Sequence, residues 1–310
     1  MTALICGSMA YDTVMVFEGR FREHILPERI HVLNVSFLAP SMRRNFGGCA
    51  GNIAYNLKLL GGAGLIMATV GHDFSPYGSW LEAQGIARAH LTVVPGEFTA
   101  QAFITTDLDG NQITAFHPGA MNHAHLNHIS SAQDVRLGIV APDGRQGMLE
   151  HAAQFAAAGI PFIFDPGQGL PMFNGEELRA LVGTASWVAV NDYEGSMLAE
   201  RTGWSLTEIA TRVQALVVTR GAEGSWIFAG GQRHDIPVAR AARLADPTGC
   251  GDAYRAGLLY GLQRGLDWPT TGRVASLAGA IKMESHGTQQ HSFAPAQFAA
   301  RFRENFGATL

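Results

Sequence analysis

The sequence predicts an α/β fold: a mostly parallel central sheet flanked by helices in three layers, with a small extra β-sheet beside it. Three observations lead there. Short apolar runs alternate with helical patterns along most of the chain, as expected for a parallel sheet covered on both faces. Two regions, 12–40 and 90–117, break that rhythm with stretches that alternate apolar and polar residues, such as TVMVFE and QAFITTDLDGNQITAF. The 310 residues are 47% hydrophobic and 15% charged, enough apolar chain for one large core and a single domain over 1–310.

In order, the runs ALICG (3–7), GLIMATVG (64–71), VRLGIVAP (135–142), PFIFDP (161–166), SWVAVN (186–191) and ALVVTRG (215–221) predict core strands. Helical patterns cover 50–60, 77–85, 145–157, 193–202, 205–214, 251–264 and 268–284. The Gly61-Gly62 pair ends the first helix as a C-cap does. DLDGN in the second irregular region is a hairpin turn between two alternating strands. Segments 12–40 and 90–117 are therefore expected to form a small sheet that covers a site.

Charge and composition remove several classes of function. Net charge is −4 with no lysine or arginine run, which argues against nucleic acid as a partner. The start, MTALICGSMAYD, lacks a cationic leader and reads as a strand rather than a signal peptide. No apolar run approaches the roughly 18 residues of a membrane span. Cys6, Cys49 and Cys250 are odd in number and far apart, so a reduced, cytoplasmic protein is expected.

The stretch ADPTGCGDAYRAG (245–257) carries chemistry. A glycine-broken turn runs straight into an apolar helix. Such a turn gathers unpaired backbone N–H groups, and the helix dipole adds partial positive charge. Gly249, Cys250 and Gly251 can form an anion cradle, with Asp252 at its edge. Alone, Asp252 would read as a helix cap. The sharper reading is phosphoryl transfer, in which the cradle steadies the moving group while Asp252 takes a proton from an attacking hydroxyl. No Walker sequence is present, so a P-loop is excluded.

DPTGCGD resembles the D-T-x-G-A-G-D signature of the ribokinase-like (PfkB) carbohydrate kinases. GGCAGN (Gly47 to Asn52) is similar to that family's glycine pair followed by a helical asparagine, NDYE (Asn191 to Glu194) to its Asn-x-x-Glu motif, and TRGAEGS (Thr219 to Ser225) to its T-x-G-x-x-G segment. All four occur in family order across essentially the whole chain. Pro247 and Cys250 depart from the usual threonine and alanine but spare both glycines and the aspartate.

The resemblance implies a ribokinase-like fold whose small sheet acts as a lid, and a kinase using ATP and Mg2+. It implies that Asp12 grips substrate hydroxyls, assisted by Gly47, Gly48 and Asn52; a carboxylate can accept two hydrogen bonds from a diol. Read alone, Asp12 is equally a solvated turn residue. It places Asn191 and Glu194 near Mg2+ and phosphate through water, although Glu194 also fits a first-turn glutamate favoured by the helix dipole. Thr219, Gly221 and Gly224 would approach the ATP phosphates, or simply form a hairpin turn. His286 and Gln289 fall where the family places a loop beside adenine. Asp246 is the candidate for a monovalent cation such as K+. Arg255 either touches phosphate or pairs with a surface acid. A homodimer through the small sheet is suggested by the same analogy.

For the acceptor, GNQITAFHPGAM (110–121) is similar to the F-x-x-G-A-M stretch of bacterial adenosine kinases in that family, and FDPGQ (164–168) to their D-P-x-Q segment. A purine needs flat apolar faces and a few polar groups. Phe116 and Met121 would supply the faces, and Gln168 and Ser36 the polar contacts, with Ser8 near the sugar. Packing of the lid is the plain alternative for Phe116 and Met121. The expectation is 5′-phosphorylation of a purine nucleoside, adenosine first. Other nucleosides or ribose-type sugars are alternatives, and a non-catalytic nucleoside-binding sensor is the rival from another class. His117, His123, His125 and His128 match no tetrahedral metal spacing and read as a polar loop.

Overall fold

The computed structural model describes residues 1–25 and 34–310. Its large sheet contains β1 (Thr2–Cys6), β4 (Gly64–Val70), β5 (His90–Val93), β8 (Val135–Val140), β9 (Phe162–Phe164), β10 (Trp187–Asn191), β11 (Ala215–Thr219), β12 (Ser225–Ala229) and β13 (Gln232–Ile236). They lie in the order β13-β12-β11-β10-β9-β8-β1-β4-β5. The pairs from β11 through β5 are parallel, and β12 and β13 add an antiparallel hairpin at one edge. The smaller sheet has the order β3-β2-β6-β7, from β2 (Ala10–Val16), β3 (Ser41–Gly47), β6 (Ala100–Thr106) and β7 (Gln112–His117).

Helices α1 (Phe21–His24), α2 (Cys49–Leu59), α3 (Ser75–Ala83), α4 (Arg145–Ala157), α5 (Gly175–Thr184), α6 (Asp192–Thr202), α7 (Leu206–Ala210), α8 (Cys250–Arg264), α9 (Trp268–Met283) and α10 (Pro295–Phe306) complete the chain. Alternation along the core strands explains the layers. Ala3 and Ile5 join one apolar cluster with residues of α2, α8 and α9, while Leu4 and Cys6 join the opposite cluster with residues of α4, α5 and α6. The central strands are buried on both faces, and the sheet has a helical layer on each side.

The sheet runs bring the ends of their strands to one edge. Ser8, Asp165, Asp192 and Arg220 all lie just beyond the C-terminal ends of parallel strands, the edge where open α/β sheets hold ligands. The smaller sheet is fastened nearby by polar contacts. Asp73 accepts from the Thr99 backbone N–H at 2.7 Å and from Gln101 at 3.1 Å, and the Asp73 carbonyl accepts from Tyr11 at 3.0 Å.

Several expectations need correction. Residues 90–93 do not belong to the smaller sheet: β5 pairs in parallel with β4. An edge strand has one wet face and therefore alternates in sequence as a cover strand would. The smaller sheet instead takes in Ser41–Gly47, beyond the expected boundary at 40. Residues 26–33 of the expected 12–40 segment lie outside the described residues, and 34–40 carry no regular structure. The helix expected over 205–214 stops at Ala210. Beyond it the chain turns back so that the Gln214 N–H meets the Ser186 carbonyl at 2.8 Å and β11 can begin. Helices α5 and α10 were not anticipated, although the Asn174–Glu177 capping box and Pro295 announce them.

Helices α8 and α9 approach so closely that a Cβ on Gly257 would collide with the Ala275 backbone. Gly257→Val should therefore destabilise the fold by about 3 kcal/mol, the upper range for overpacking, seen as a lowered denaturation midpoint. An unchanged midpoint would contradict the close packing of these helices.

Candidate active site

Helix α8 starts at the glycine-rich turn, and its first residues face the edge where the core strands end. Gly249 occupies the N-cap with φ 82°, a left-handed conformation that glycine adopts without strain. A side chain there would also press on Thr288. Cys250 and Gly251 follow in the first turn, leaving their early N–H groups without intrahelical partners, apart from a bond from Cys250 N–H to the Pro247 carbonyl at 3.1 Å.

Asp252 is half-buried, and its Oδ2 accepts from Asn52 Nδ2 at 2.8 Å. Withdrawal from water pushes this carboxyl up to about 7; the Asn52 hydrogen bond opposes that shift, and the nearby charge of Asp165 adds to it. Arg255, one turn further along α8, does not neutralise it. Its guanidinium forks onto Asp165, Nε to Oδ2 at 3.0 Å and Nη2 to Oδ1 at 2.9 Å, and also reaches the Ala189 carbonyl at 3.3 Å. Neither sequence alternative for Arg255 anticipated this: the partner is an acid, but a buried one. Despite the cost of burial, Asp165 and Glu194 hold Arg255 charged.

Asn52 lies near the start of α2, and its location follows from the glycine pair before it. Gly48 caps α2 with φ 86°, and a Cβ there would sit 2.5 Å from the Ser8 carbonyl oxygen. A Cβ on Gly47 would strike the Asp12 carboxylate, so the glycine lets Asp12 approach the start of α2. Asp12 sits on β2 opposite Asn45, rather than in a turn after the first strand. Burial raises its carboxyl to about 6, with Asp246 adding to the rise. Ser8 is buried, and its Oγ accepts from Cys49 N–H at 3.1 Å, which secures the first turn of α2.

Gln289 differs from expectation. Instead of lying open beside a nucleotide, it is fully buried. Its Nε2 donates to Asn52 Oδ1 at 3.0 Å and to the Tyr77 hydroxyl at 2.6 Å, and its Oε1 accepts from Trp80 at 2.9 Å. Tyr77 in turn donates to the Gly47 carbonyl at 2.9 Å. A continuous chain of contacts thus runs from the glycine pair to Asp252. Burial raises the Tyr77 phenol against its Gln289 hydrogen bond, with the charges of Asp12 and Asp252 adding to the rise. His286, expected beside Gln289, is exposed.

Asn191 and Glu194 form a reciprocal capping box at the start of α6: Glu194 N–H donates to Asn191 Oδ1 at 2.7 Å, and Asn191 N–H to Glu194 Oε2 at 2.8 Å. Glu194 Oε2 is 3.8 Å from Arg255, and burial raises its carboxyl while Arg255 opposes the rise. Thr219 ends β11 and pairs with Ser225 of the antiparallel β12, with Gly221 and Gly224 in the tight turn between them. Ser36 and Gln168 are exposed, Phe116 is 49% exposed on β7, and Met121 is half-buried. Among the described residues, no hydrogen bond joins these four to Asp12 or Asp252.

Asp246 is bound by backbone: its Oδ1 accepts from Thr248 N–H at 2.9 Å and its Oδ2 from Gly287 N–H at 2.9 Å. Although burial pulls the other way, these donors and Lys282 hold its carboxyl below the usual range. The sequence reading missed Asp165, Tyr77, Trp80 and Lys282. Asp165 had a signal, since it directly follows β9 in FDPGQ; the other three lie within helical patterns and are recruited only by packing.

Residues 11–295 match the pfkB family carbohydrate kinase description. The chain is 32% identical over 259 residues to a nucleoside kinase of Methanocaldococcus jannaschii, covering 83% of this chain and 85% of that protein. A structure of Burkholderia thailandensis nucleoside kinase in complex with inosine is 54% identical and covers 99% of both chains, with a TM-score of 0.90. A second structure of that protein, with ADP-inosine, is 56% identical and covers 99% of this chain and 97% of the other, at a TM-score of 0.88. With the motifs, the topology and this match across nearly the whole chain in agreement, the protein belongs to the pfkB family of carbohydrate kinases.

Proposed function

We propose that this protein transfers the γ-phosphoryl group of ATP to the 5′-hydroxyl of a purine nucleoside, with adenosine and inosine the first acceptors to test. The observation that carries this reading is the Asp252 carboxyl, pushed up to about 7 beside the Gly249–Gly251 turn and left unpaired by Arg255. Similarity to nucleoside kinases, one of them with a structure in complex with inosine, supports the acceptor class.

The chemistry follows from the positions. Asp12 accepts hydrogen bonds from the ribose hydroxyls and holds the sugar near α8. Asp252 takes the proton of the 5′-hydroxyl as its oxygen bonds to the γ-phosphorus. The bond from that phosphorus to the β-phosphate oxygen breaks, and ADP leaves. The amides of Gly249 and Gly251, with the start of α8 behind them, would stabilise the charge on the transferring oxygens, while the Cys250 N–H is held by the Pro247 carbonyl. Asn52 keeps Asp252 aimed, and Gln289 and Tyr77 keep Asn52 aimed. Mg2+ bound with ATP would neutralise phosphate oxygens. Glu194, a single carboxylate with one oxygen already engaged by backbone, suits holding it through water rather than as a full ligand cage. The smaller sheet acts as a lid that excludes water, with Phe116, Met121, Ser36 and Gln168 toward the nucleobase on closure; its exposed strand β7 is the edge available for a homodimer.

Four outcomes follow. Asp252→Asn should lower kcat by about 10³ while nucleoside binding by calorimetry persists; near-normal turnover would reject Asp252 as the base. Because the base must be ionised, kcat/KM should fall about tenfold per pH unit below about 7 and level off above it. A profile flat down to pH of about 5.5 would oppose that role. Gln289→Leu should cut kcat about tenfold with the KM for ATP changed less than about twofold. A rise in KM for ATP alone would return Gln289 to the adenine site. ADP release across a panel of adenosine, inosine, guanosine and ribose reads the acceptor, and phosphorylation of ribose but no nucleoside would overturn the class.

A further inference from the structure

The sequence contains only two lysines, Lys58 and Lys282. Lys282, in the last turn of α9, has no exposed surface at all. A lysine buried so completely is rare unless its charge is compensated. Its compensation here is unusual. Nζ donates to the backbone carbonyl of Asp246 at 2.8 Å and to that of Ser285 at 3.0 Å, and Asp246 Oδ2 lies 4.0 Å away. All these partners are acceptors, and one is a carboxylate that would repel the lone pair of a neutral amine, so the arrangement suits an ammonium. Burial draws the group down from its ordinary value, and Asp246 and Cys250 oppose that.

Two carbonyl oxygens and a carboxylate around a desolvated positive charge form the kind of oxygen cage that holds a monovalent cation. The cage lies where the resemblance implied such an ion, beside Asp246. An added ion does not fit with the ammonium in place: it would sit against a like charge, and the oxygens facing it already accept hydrogen bonds. The cage also joins two chain segments. Ala245 and Asp246 N–H groups bond to the Met283 carbonyl at 2.9 and 3.1 Å, and Asp246 takes the Gly287 N–H on the other side. The first segment runs on into the glycine turn at 249–251, and the second carries Thr288 and Gln289. The positive charge reaches that turn, since Lys282 lowers the Cys250 thiol against the effect of burial.

We propose that the ammonium of Lys282 takes the place of the monovalent cation at Asp246, fixing the segment that carries the anion cradle, so that this kinase works without potassium. Lys282 is then a positioning residue acting through the 246–251 backbone. The inference rests on the reading of 249–251 as the cradle.

The test compares initial rates of inosine phosphorylation in KCl, NaCl and choline chloride at equal ionic strength. Wild-type rates should agree within about twofold, because no ion binds at the cage. Stimulation by K+ over choline of about fivefold or more would overturn the proposal. Lys282→Met keeps the stem and removes the charge. In choline its kcat should drop about tenfold or more, and K+ should restore much of that loss. A loss that K+ leaves untouched would make Lys282 merely structural. Thermal denaturation supplies a readout independent of turnover. K+ should raise the midpoint of the variant by about 2 °C or more over choline and leave the wild type unmoved. A K+-specific rise in the wild type would also overturn the proposal. If neither form phosphorylates any nucleoside, the functional reading fails, while the denaturation comparison still decides whether the ammonium fills the cation position.

Discussion

The hydrogen bond from Asn52 to Asp252, 2.8 Å long, spans 200 residues of chain and joins the start of α2 to the start of α8. A carboxylate drawn partly out of water at the head of a helix has two easy fates: it caps its own helix, or it pairs with the nearest cation. Neither happens. The N-cap of α8 is Gly249, with no side-chain cap, and the guanidinium one turn away is committed to Asp165. What remains is a carboxyl held by neutral groups, the Asn52 amide and the Cys49 thiol, and poised near neutrality. A base needs just such a balance, because a carboxylate locked in an ion pair would be too weak to take a proton.

Keeping that balance takes an extended support. Asn52 has both ends of its amide engaged, donating to Asp252 and accepting from Gln289. Gln289 is fixed by Tyr77 and Trp80 of α3, and Tyr77 returns to the Gly47 carbonyl. The glycine pair, a helix of the main layer and the segment after α9 thus converge on one carboxyl. Buried polar networks of this kind are stable only when each member is satisfied, and this one is nearly closed.

The two buried cations among the described residues follow one logic. Arg255 is fully matched by a bidentate acid, and Lys282 by carbonyls and Asp246. Each fixes a wall of the site: Arg255 ties α8 to the ends of β9 and β10, and Lys282 ties the glycine turn to the segment after α9. Because their hydrogen bonds are spent on the protein, they shape the field around the proposed phosphoryl position without occupying it.

Much of this was legible in the chain. Alternating apolar runs and helical patterns determined the layers, because strands buried on both faces carry few polar residues. The glycines at 47–48 and 249–251 were readable because tight turns and close approaches demand that residue type, and Asp12 and Asp252 stood out as candidates because carboxylates suit hydroxyl binding and proton transfer. Tertiary structure alone decided which sheet received residues 90–93, since an edge strand and a cover strand share one pattern. It alone assigned Gln289 to Asn52, Arg255 to Asp165 and Lys282 to the carbonyl of Asp246. Those partners are separated by between 36 and 237 residues. Which distant group satisfies a buried charge depends on how helices stack, and no local sequence pattern encodes that.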